Sequence, residues 1–407
     1  MTPRDRSAST GRGPSRRGFL LGGTVAGAGA VAAIGIDAAV SARATDAGAS
    51  TPLNGDVIVP FYGEHQAGID TDAQAHVSLV ALDLRSDTDR EGLRRLMRTL
   101  TDDAARLTRG HGALADTEPE LATAPARLTV TFGFGPGFVA RAEAPAPAWL
   151  RPLPAFTIDR LRPEFGDGDL LLQIAADDPV TVAHATRMLL KDARAFASPR
   201  WVQQGFRRAH GTVRPGTTMR NLFGQVDGTA NPVPGTTGFD EVVWAREGWL
   251  AGGTGMVVRR IAMDLDKWDR LDRPGRDQSV GRTHATGAPL TGTDEFDEPD
   301  FEAKDALGFP VIPEFSHVRR SRPDDPAQRI FRRGYNYDDA PPAGTVSDAG
   351  LLFVSFQADI DRQFVPIQRR LDELDLLNEW TTPIGSAVFA LPPGCAEGGF
   401  IGEGILS

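Results

Sequence analysis

Apolar residues alternate with others between His76 and Leu84, where Val77, Leu79 and Ala81 recur at every second place, the period of a half-buried strand. The period then changes. From Thr88 to Arg109, Leu93, Leu96, Met97, Leu100, Ala104 and Leu107 fall at spacings of three and four, on one face of a helix. Arg127–Phe134 alternates again through Leu128, Val130, Phe132 and Phe134, and Asp169–Ala175 reads as another strand. Pro179 opens a helix that runs to about Ala197, since the fixed φ of proline suits a first turn, and Arg200–His210 reads as a closing strand.

The order β-α-β-β-α-β is the ferredoxin-like arrangement, and it occurs a second time. Gly255–Leu265 is a strand, a short helix follows near Lys267, and Arg329–Tyr337 and Gly350–Gln357 are strands. Arg362–Leu374 is a helix with Phe364, Ile367, Leu371 and Leu374 inward, and Ser386–Leu391 closes the unit. The expected fold is α+β: two ferredoxin-like units, residues 55–212 and 213–407, joined in a dimeric α+β barrel-like fold. Its antiparallel sheets are expected to pack together with a pocket at or beside their interface. The stretches Thr212–Gly253 and Asp272–Asp325 are too long for plain connections and rich in Gly, Pro and Asp, so function is expected there.

Length and composition narrow the field. The chain has 407 residues, 41 % hydrophobic and 24 % charged, which excludes long disorder, collagen and a polytopic membrane protein. Its single cysteine, Cys395, excludes an internal disulfide, a thiolate zinc cluster and a covalently attached c-type haem. The net charge is −10, although residues 1–44 are basic, so the body is strongly acidic and nucleic acid is not an expected partner. Within the first 44 residues, Ser15-Arg16-Arg17-Gly18-Phe19-Leu20 is a twin-arginine pattern. An uncharged run from Gly18 to Ile36 and small residues around Ala42-Arg43-Ala44 complete a signal peptide. The competing reading is a retained anchor, which a run dominated by Gly and Ala disfavours. Export by the twin-arginine machinery, to a secreted, periplasmic or envelope-associated location, is the expectation.

Three segments carry candidate chemistry. Asn221-Leu222-Phe223-Gly224-Gln225-Val226-Asp227-Gly228-Thr229-Ala230-Asn231-Pro232 places an acid on a tight Gly-flanked loop, which is also what an ordinary Asp-Gly turn looks like. Ile312-Pro313-Glu314-Phe315-Ser316-His317-Val318-Arg319-Arg320-Ser321-Arg322-Pro323 sets a histidine, a possible metal ligand, before a basic cluster; a solvated basic loop has the same composition. In Ile330-Phe331-Arg332-Arg333-Gly334-Tyr335-Asn336-Tyr337, the two arginines of a strand point to opposite faces, so at most one meets a given pocket.

Together with Val59-Pro60-Phe61-Tyr62-Gly63-Glu64-His65-Gln66-Ala67-Gly68-Ile69, Gly252-Gly253-Thr254, Val280-Gly281-Arg282, Gly287-Ala288-Pro289-Leu290 and Leu351-Leu352-Phe353-Val354-Ser355-Phe356-Gln357, these segments resemble the dye-decolourising peroxidase family over essentially the whole mature chain. The resemblance is to its exported branch, which includes deferrochelatase/peroxidases. It implies non-covalent haem b between a proximal histidine, His317, and a distal acid–arginine pair, Asp227 and Arg332, with Gly228, Thr229 and Ala230 beside the haem. Arg333 stays open as the distal arginine. His65 lies in a family motif and is read as structural. The family often shows Asn-Pro-Arg soon after the ligand, whereas this chain has Arg322-Pro323-Asp324, so Arg319, Arg320 and Arg322 are all candidates to pair the haem propionates.

The implied reaction is reduction of hydrogen peroxide through a ferryl intermediate, with electrons from dyes, phenolics or other bulky donors. Asp227 would relay the proton and Arg332 would stabilise the developing negative charge. Asp359 is the candidate acceptor for the other ring nitrogen of His317, unless it simply caps the helix from Arg362. Tyr335, Tyr337, Trp201, Trp244, Trp249, Trp268 and Trp380 are candidate electron relays, or core. Two other readings use the same fold: a deferrochelatase that removes iron from haem, and a haem carrier, for which a distal acid has no purpose. A homo-oligomer is compatible with all three.

Overall fold

The computed structural model describes residues 53–407, so the expected signal segment lies outside the described residues. Strand β1 (His76–Leu84) leads into α1 (Arg90–Leu107), started by Asp89, whose side chain accepts from the Gly92 N–H at 2.8 Å. All six apolar residues of its predicted face are buried. Then follow β2 (Thr129–Phe134), the short α2 (Pro136–Arg141), β3 (Leu170–Ala176), α3 (Pro179–Ala193) and β4 (Ala197–Phe206). Helix α3 has Pro179 in its first turn, and the Asp178 side chain accepts from the Thr181 N–H at 2.8 Å.

The second half contains α4 (Thr237–Val243), β5 (Thr254–Met263), α5 (Leu265–Trp268), α6 (Arg273–Val280) and α7 (His317–Ser321). It continues with β6 (Phe331–Arg332), β7 (Tyr335–Asp339), β8 (Asp348–Gln357), α8 (Phe364–Leu374), β9 (Thr381–Leu391) and α9 (Glu403–Leu406). The strand expected over Arg329–Tyr337 is therefore two strands. Between them the Arg333 N–H still donates to the Val354 carbonyl of β8 at 2.8 Å, the register on β8 is unchanged, and the Gly334 carbonyl accepts from Arg207 Nε at 2.8 Å.

Within each half the strands take the ferredoxin-like order, β4-β1-β3-β2 and β9-β5-β8-β7, all antiparallel. The halves do not stack face to face. They meet edge to edge, β2 against β9 at Phe134–Ala390 and β4 against β7 at Phe206–Asn336, and so close one barrel, with β6 lying in line with β7 along the same edge of β8. Alternation then sorts the side chains. Val77, Leu79, Ala81, Met256, Val258, Leu352, Val354 and Phe389 fill the barrel, while Val80, Leu82, Val130 and Leu172 pack outward under α1 and α3. Each such buried aliphatic contributes roughly 1.5–3 kcal/mol relative to exposure. On the second half the outward residues of β5, β8 and β9 form one wall of a cavity of about 770 Å³. The pocket thus lies beside the barrel and not between two sheets.

Helices α1 and α3 meet at two carboxyl groups. Asp103 is buried and accepts from the Leu114 N–H at 2.7 Å; burial and the adjacent Asp103 push Asp192 up to about 7. Across the range from about pH 4 to 7 the folded chain holds a proton that the unfolded chain has released, so this group removes stability as pH rises through that window. We expect Asp192→Asn to have a smaller drop in urea midpoint between pH 5 and pH 8 than the wild type. An identical pH dependence in both proteins would refute the coupling.

Candidate active site

His317 opens α7, and its Nδ1–H donates to Asp375 Oδ2 at 2.6 Å. The two are brought together by a backbone bond from Leu376 N–H to the Phe315 carbonyl at 2.9 Å, which pins the turn after α8 against the turn before α7. Asp375 is buried, and its second oxygen accepts from the Leu377 N–H at 3.0 Å, so the carboxylate is fixed at both oxygens. Burial works against the imidazolium, but the Asp375 carboxylate more than offsets it and raises the His317 pKa above its ordinary value. With Nδ1 engaged, the ring presents Nε2 as its free nitrogen, and His317 is the one histidine of the seven that lines the cavity.

The expected acceptor, Asp359, is elsewhere. Its Oδ1 accepts from the Arg362 N–H at 3.0 Å in the turn that precedes α8. Eleven residues of helix, about 16 Å at 1.5 Å per residue, separate that end of α8 from the end where Asp375 meets His317. Nor does Asp359 cap the helix, which begins at Phe364 with Gln363 in the N-cap position; it only closes the turn before it. Asp375 has no motif around it, and only the packing of α7 on α8 reveals it.

Asp227 sits on a loop shaped by local hydrogen bonds. Asn221 Oδ1 accepts from the N–H groups of Phe223 and Gln225, at 3.1 and 3.2 Å, and the Asp227 N–H donates to the Met219 carbonyl at 2.9 Å. Gly228 follows with φ +130°, a conformation closed to most side chains, so the glycine after the acid is required by the turn. Thr229 Oγ1 donates to Glu295 Oε1 at 2.9 Å, and the Ala230 carbonyl accepts from Arg329 Nη2 at 2.9 Å. Arg332 Nη1 donates to Asp227 Oδ1 at 2.9 Å, and both side chains are partly open to the cavity that His317 also lines. The pair is braced by Asn231, whose Oδ1 accepts from the Arg332 N–H at 3.1 Å and whose Nδ2 donates to the Arg332 carbonyl at 2.7 Å. Asn231 stood inside the recognised loop without an assigned role.

Other expected positions separate cleanly. Arg333 points away and is buried, donating to the Thr71 carbonyl, to the Asp72 carbonyl at 3.1 Å and to Gln74 Oε1 at 2.7 Å. Arg319 donates to the Phe301 and Ile312 carbonyls, Arg320 to the Arg370 carbonyl and Glu373, and Arg322 to Glu298. Of these three only Arg322 lines the cavity. His65 bonds the Gly252 carbonyl at 2.7 Å and stacks on Trp244, a structural arrangement. Tyr335, Tyr337, Trp201, Trp244, Trp268 and Trp380 are all buried; Trp249 is partly exposed.

The two adjacent arginines should answer mutation differently. Removing Arg333 leaves the buried Gln74 amide oxygen and the half-buried Thr71 carbonyl without a donor, whereas the Asp72 carbonyl keeps Arg127 Nη2, so Arg333→Leu should cost about 2–4 kcal/mol of stability. Arg332→Leu should cost under ~1 kcal/mol, since its one ion pair is partly solvated. Urea denaturation measures both; equal losses would show that the strand does not divide them.

With this geometry in place, comparison with known proteins is decisive. The family described as Dyp-type peroxidase matches in both its parts, the N-terminal over residues 66–207 and the C-terminal over residues 218–396. The chain is 37 % identical to a dye-decolorizing peroxidase of Thermobifida fusca, over 97 % of this chain and 98 % of that one. It is 34 % identical to a deferrochelatase of Escherichia coli O157:H7, over 97 % of each chain. The crystal structure of a DyP-type peroxidase from Cellulomonas bogoriensis superimposes with a TM-score of 0.85 at 56 % identity, covering 88 % of this chain and all of that one. The chain belongs to the Dyp-type peroxidase family.

Proposed function

We propose that the cavity beside the barrel holds haem b, that His317 Nε2 would bind its iron, and that Asp227 and Arg332 would act on hydrogen peroxide in the same cavity. One observation carries this reading: an imidazole with a free Nε2 and an acid–arginine pair line the same cavity of about 770 Å³. The donor set fits the group, because Asp375 fixes the ring tautomer and supports its basicity. Gly228, Thr229 and Ala230 line the cavity beside the acid.

Bound haem supplies the redox chemistry: peroxide takes up two electrons and two protons to give two waters, and the electrons are later replaced by a donor. The protein moves the proton. With haem bound, Asp227 would accept a proton from one peroxide oxygen and return it to the other, so that the latter leaves as water and not as hydroxide. Arg332 cannot serve as that base. It holds Asp227 in place and stabilises negative charge as the O–O bond breaks. A bulky donor meets none of the buried tyrosines directly.

Stopped-flow mixing with peroxide tests the assignment. Arg332→Leu should slow peroxide consumption by roughly 10²–10³-fold, as loss of one charge-stabilising donor does. Asp227→Ala should slow it by about 10²–10⁴-fold, the usual worth of an acid–base group. Normal rates in both, with haem retained, would overturn it. Relatives named deferrochelatase span the same length, so products are analysed alongside: recovery of metal-free porphyrin from the wild type would replace the peroxidase reading.

We further infer that residues 1–44 direct export by the twin-arginine route, supported by Arg16-Arg17 ahead of an uncharged run. Replacing both arginines by lysine should leave the folded protein in the cytoplasmic fraction; unaltered export would refute this.

A further inference from the structure

The acid sits on a hairpin whose two ends are held in different ways. Its legs run from Thr218 to Asn221 and from Gln225 to Thr229, with Arg220 and Val226 paired across them as an antiparallel bridge. Asn221 closes the turn end: Oδ1 accepts from the Phe223 and Gln225 N–H groups, and Nδ2 donates to Gln225 Oε1 at 3.0 Å. The Asp227 N–H donates to the Met219 carbonyl, and beyond it no main-chain bond joins the legs among the described residues. Gly228 comes next, and a glycine leaves the chain after the acid free to swing.

The open end is closed by a side chain from elsewhere. Glu295 Oε1 accepts from Thr218 Oγ1 on one leg at 2.5 Å and from Thr229 Oγ1 on the other at 2.9 Å. Hydrogen bonds to a carboxylate are stronger than neutral ones. Glu295 is itself fixed, because its main-chain carbonyl accepts from Arg282 Nη1 at 2.8 Å. Gly287, at φ +79°, lies so close that a Cβ there would be 3.3 Å from Glu295 Cγ and 2.9 Å from Val226 Cγ2. The turn after α6 thereby presses Glu295 against the hairpin, and Arg220 ties the same turn from the other side, donating to the His284 and Ala285 carbonyls at 2.7 and 2.9 Å.

Thr229 lines the cavity with Asp227, whereas Thr218 and Glu295 do not. Glu295 therefore reaches the contents of the cavity only through the hairpin. We propose that Glu295 is a positioning residue for Asp227: by clamping Thr218 to Thr229 it fixes the leg that carries the acid at the place where peroxide reacts. This rests on the peroxidase reading above. The role asks only for an acceptor oxygen and not for a proton carrier, so an amide in place of the carboxylate should serve it.

Hydrogen exchange by mass spectrometry and peroxide kinetics, both on the purified protein, test this together. In Glu295→Ala the peptide containing Asp227 should exchange about 10- to 100-fold faster than in wild type, the worth of a hydrogen bond to a charged group. Peroxide consumption should slow by a similar factor of about 10 to 100, as displacement of a reacting group does. Glu295→Gln keeps the acceptor oxygen and should bring both quantities to within about threefold of wild type. In the Asp227→Ala background, Glu295→Ala should add no further slowing, since it acts through the acid alone. Unchanged exchange or an unchanged rate in Glu295→Ala would overturn the inference. So would a Glu295→Gln protein with wild-type exchange and the slow rate of Glu295→Ala, which would make Glu295 a proton carrier. Slowing that adds to that of Asp227→Ala would overturn it too, by placing the effect elsewhere in the cavity. If Glu295→Ala does not fold by circular dichroism, Thr229→Val removes one of the two bonds and is held to the same outcomes. A wild type that consumes no peroxide would fail the peroxidase reading and take this role with it, a result distinct from the others because the exchange comparison needs no haem.

Discussion

Closure of eight strands around one apolar interior is the constraint on which the rest of the molecule depends. Once Met256, Val258, Leu352 and Val354 face inward, the pleat obliges Arg259, Ile261, Leu351 and Phe353 to face out. That outer surface on the second half has no counterpart of α1 to cover its whole width. The long segments between β4 and β5 and between β5 and β6 cover it instead, and the space left between them and the sheet is the cavity. The acid comes from the first of these segments, the histidine from the second, and the arginine from the strand that follows it.

What holds the polar groups there is a set of bonds among main-chain turns. The turn after α8 bonds the turn before α7, and this places Asp375 under His317. The loop of Asp227 is shaped by Asn221 and tied to the strand of Arg332 by Asn231. None of these ties passes through the barrel interior, so the reactive side chains can be exposed to a cavity while the scaffold behind them stays dry.

The alternation and the helical face of the first half were open to reading because each element there is long and its apolar residues follow one period. The same holds for β5, β8 and α8. The opposite fates of Arg332 and Arg333 also followed from a period of two. Other features left no such trace. The bond from Arg207 Nε to the Gly334 carbonyl joins residues 127 positions apart. The edge-to-edge closure rests on single register pairs at the seams, Phe134–Ala390 and Phe206–Asn336, and no local pattern announces it. Asp375 and Asp359 are alike in sequence, each beside an end of α8; which one reaches a histidine is a matter of where α7 packs.

The double bond made by Asn231 has a consequence beyond the cavity. Strand β6 continues the line of β7 past its pairing with β4, and a strand side without a partner strand offers unpaired N–H and C=O groups to any passing chain. By engaging both main-chain groups of Arg332, the Asn231 amide imitates one residue of a neighbouring strand and occupies the place a foreign strand would take. The loop that presents the acid is thereby also a guard against self-association, and an exchange at position 231 would expose a sticky edge as well as loosen the arginine.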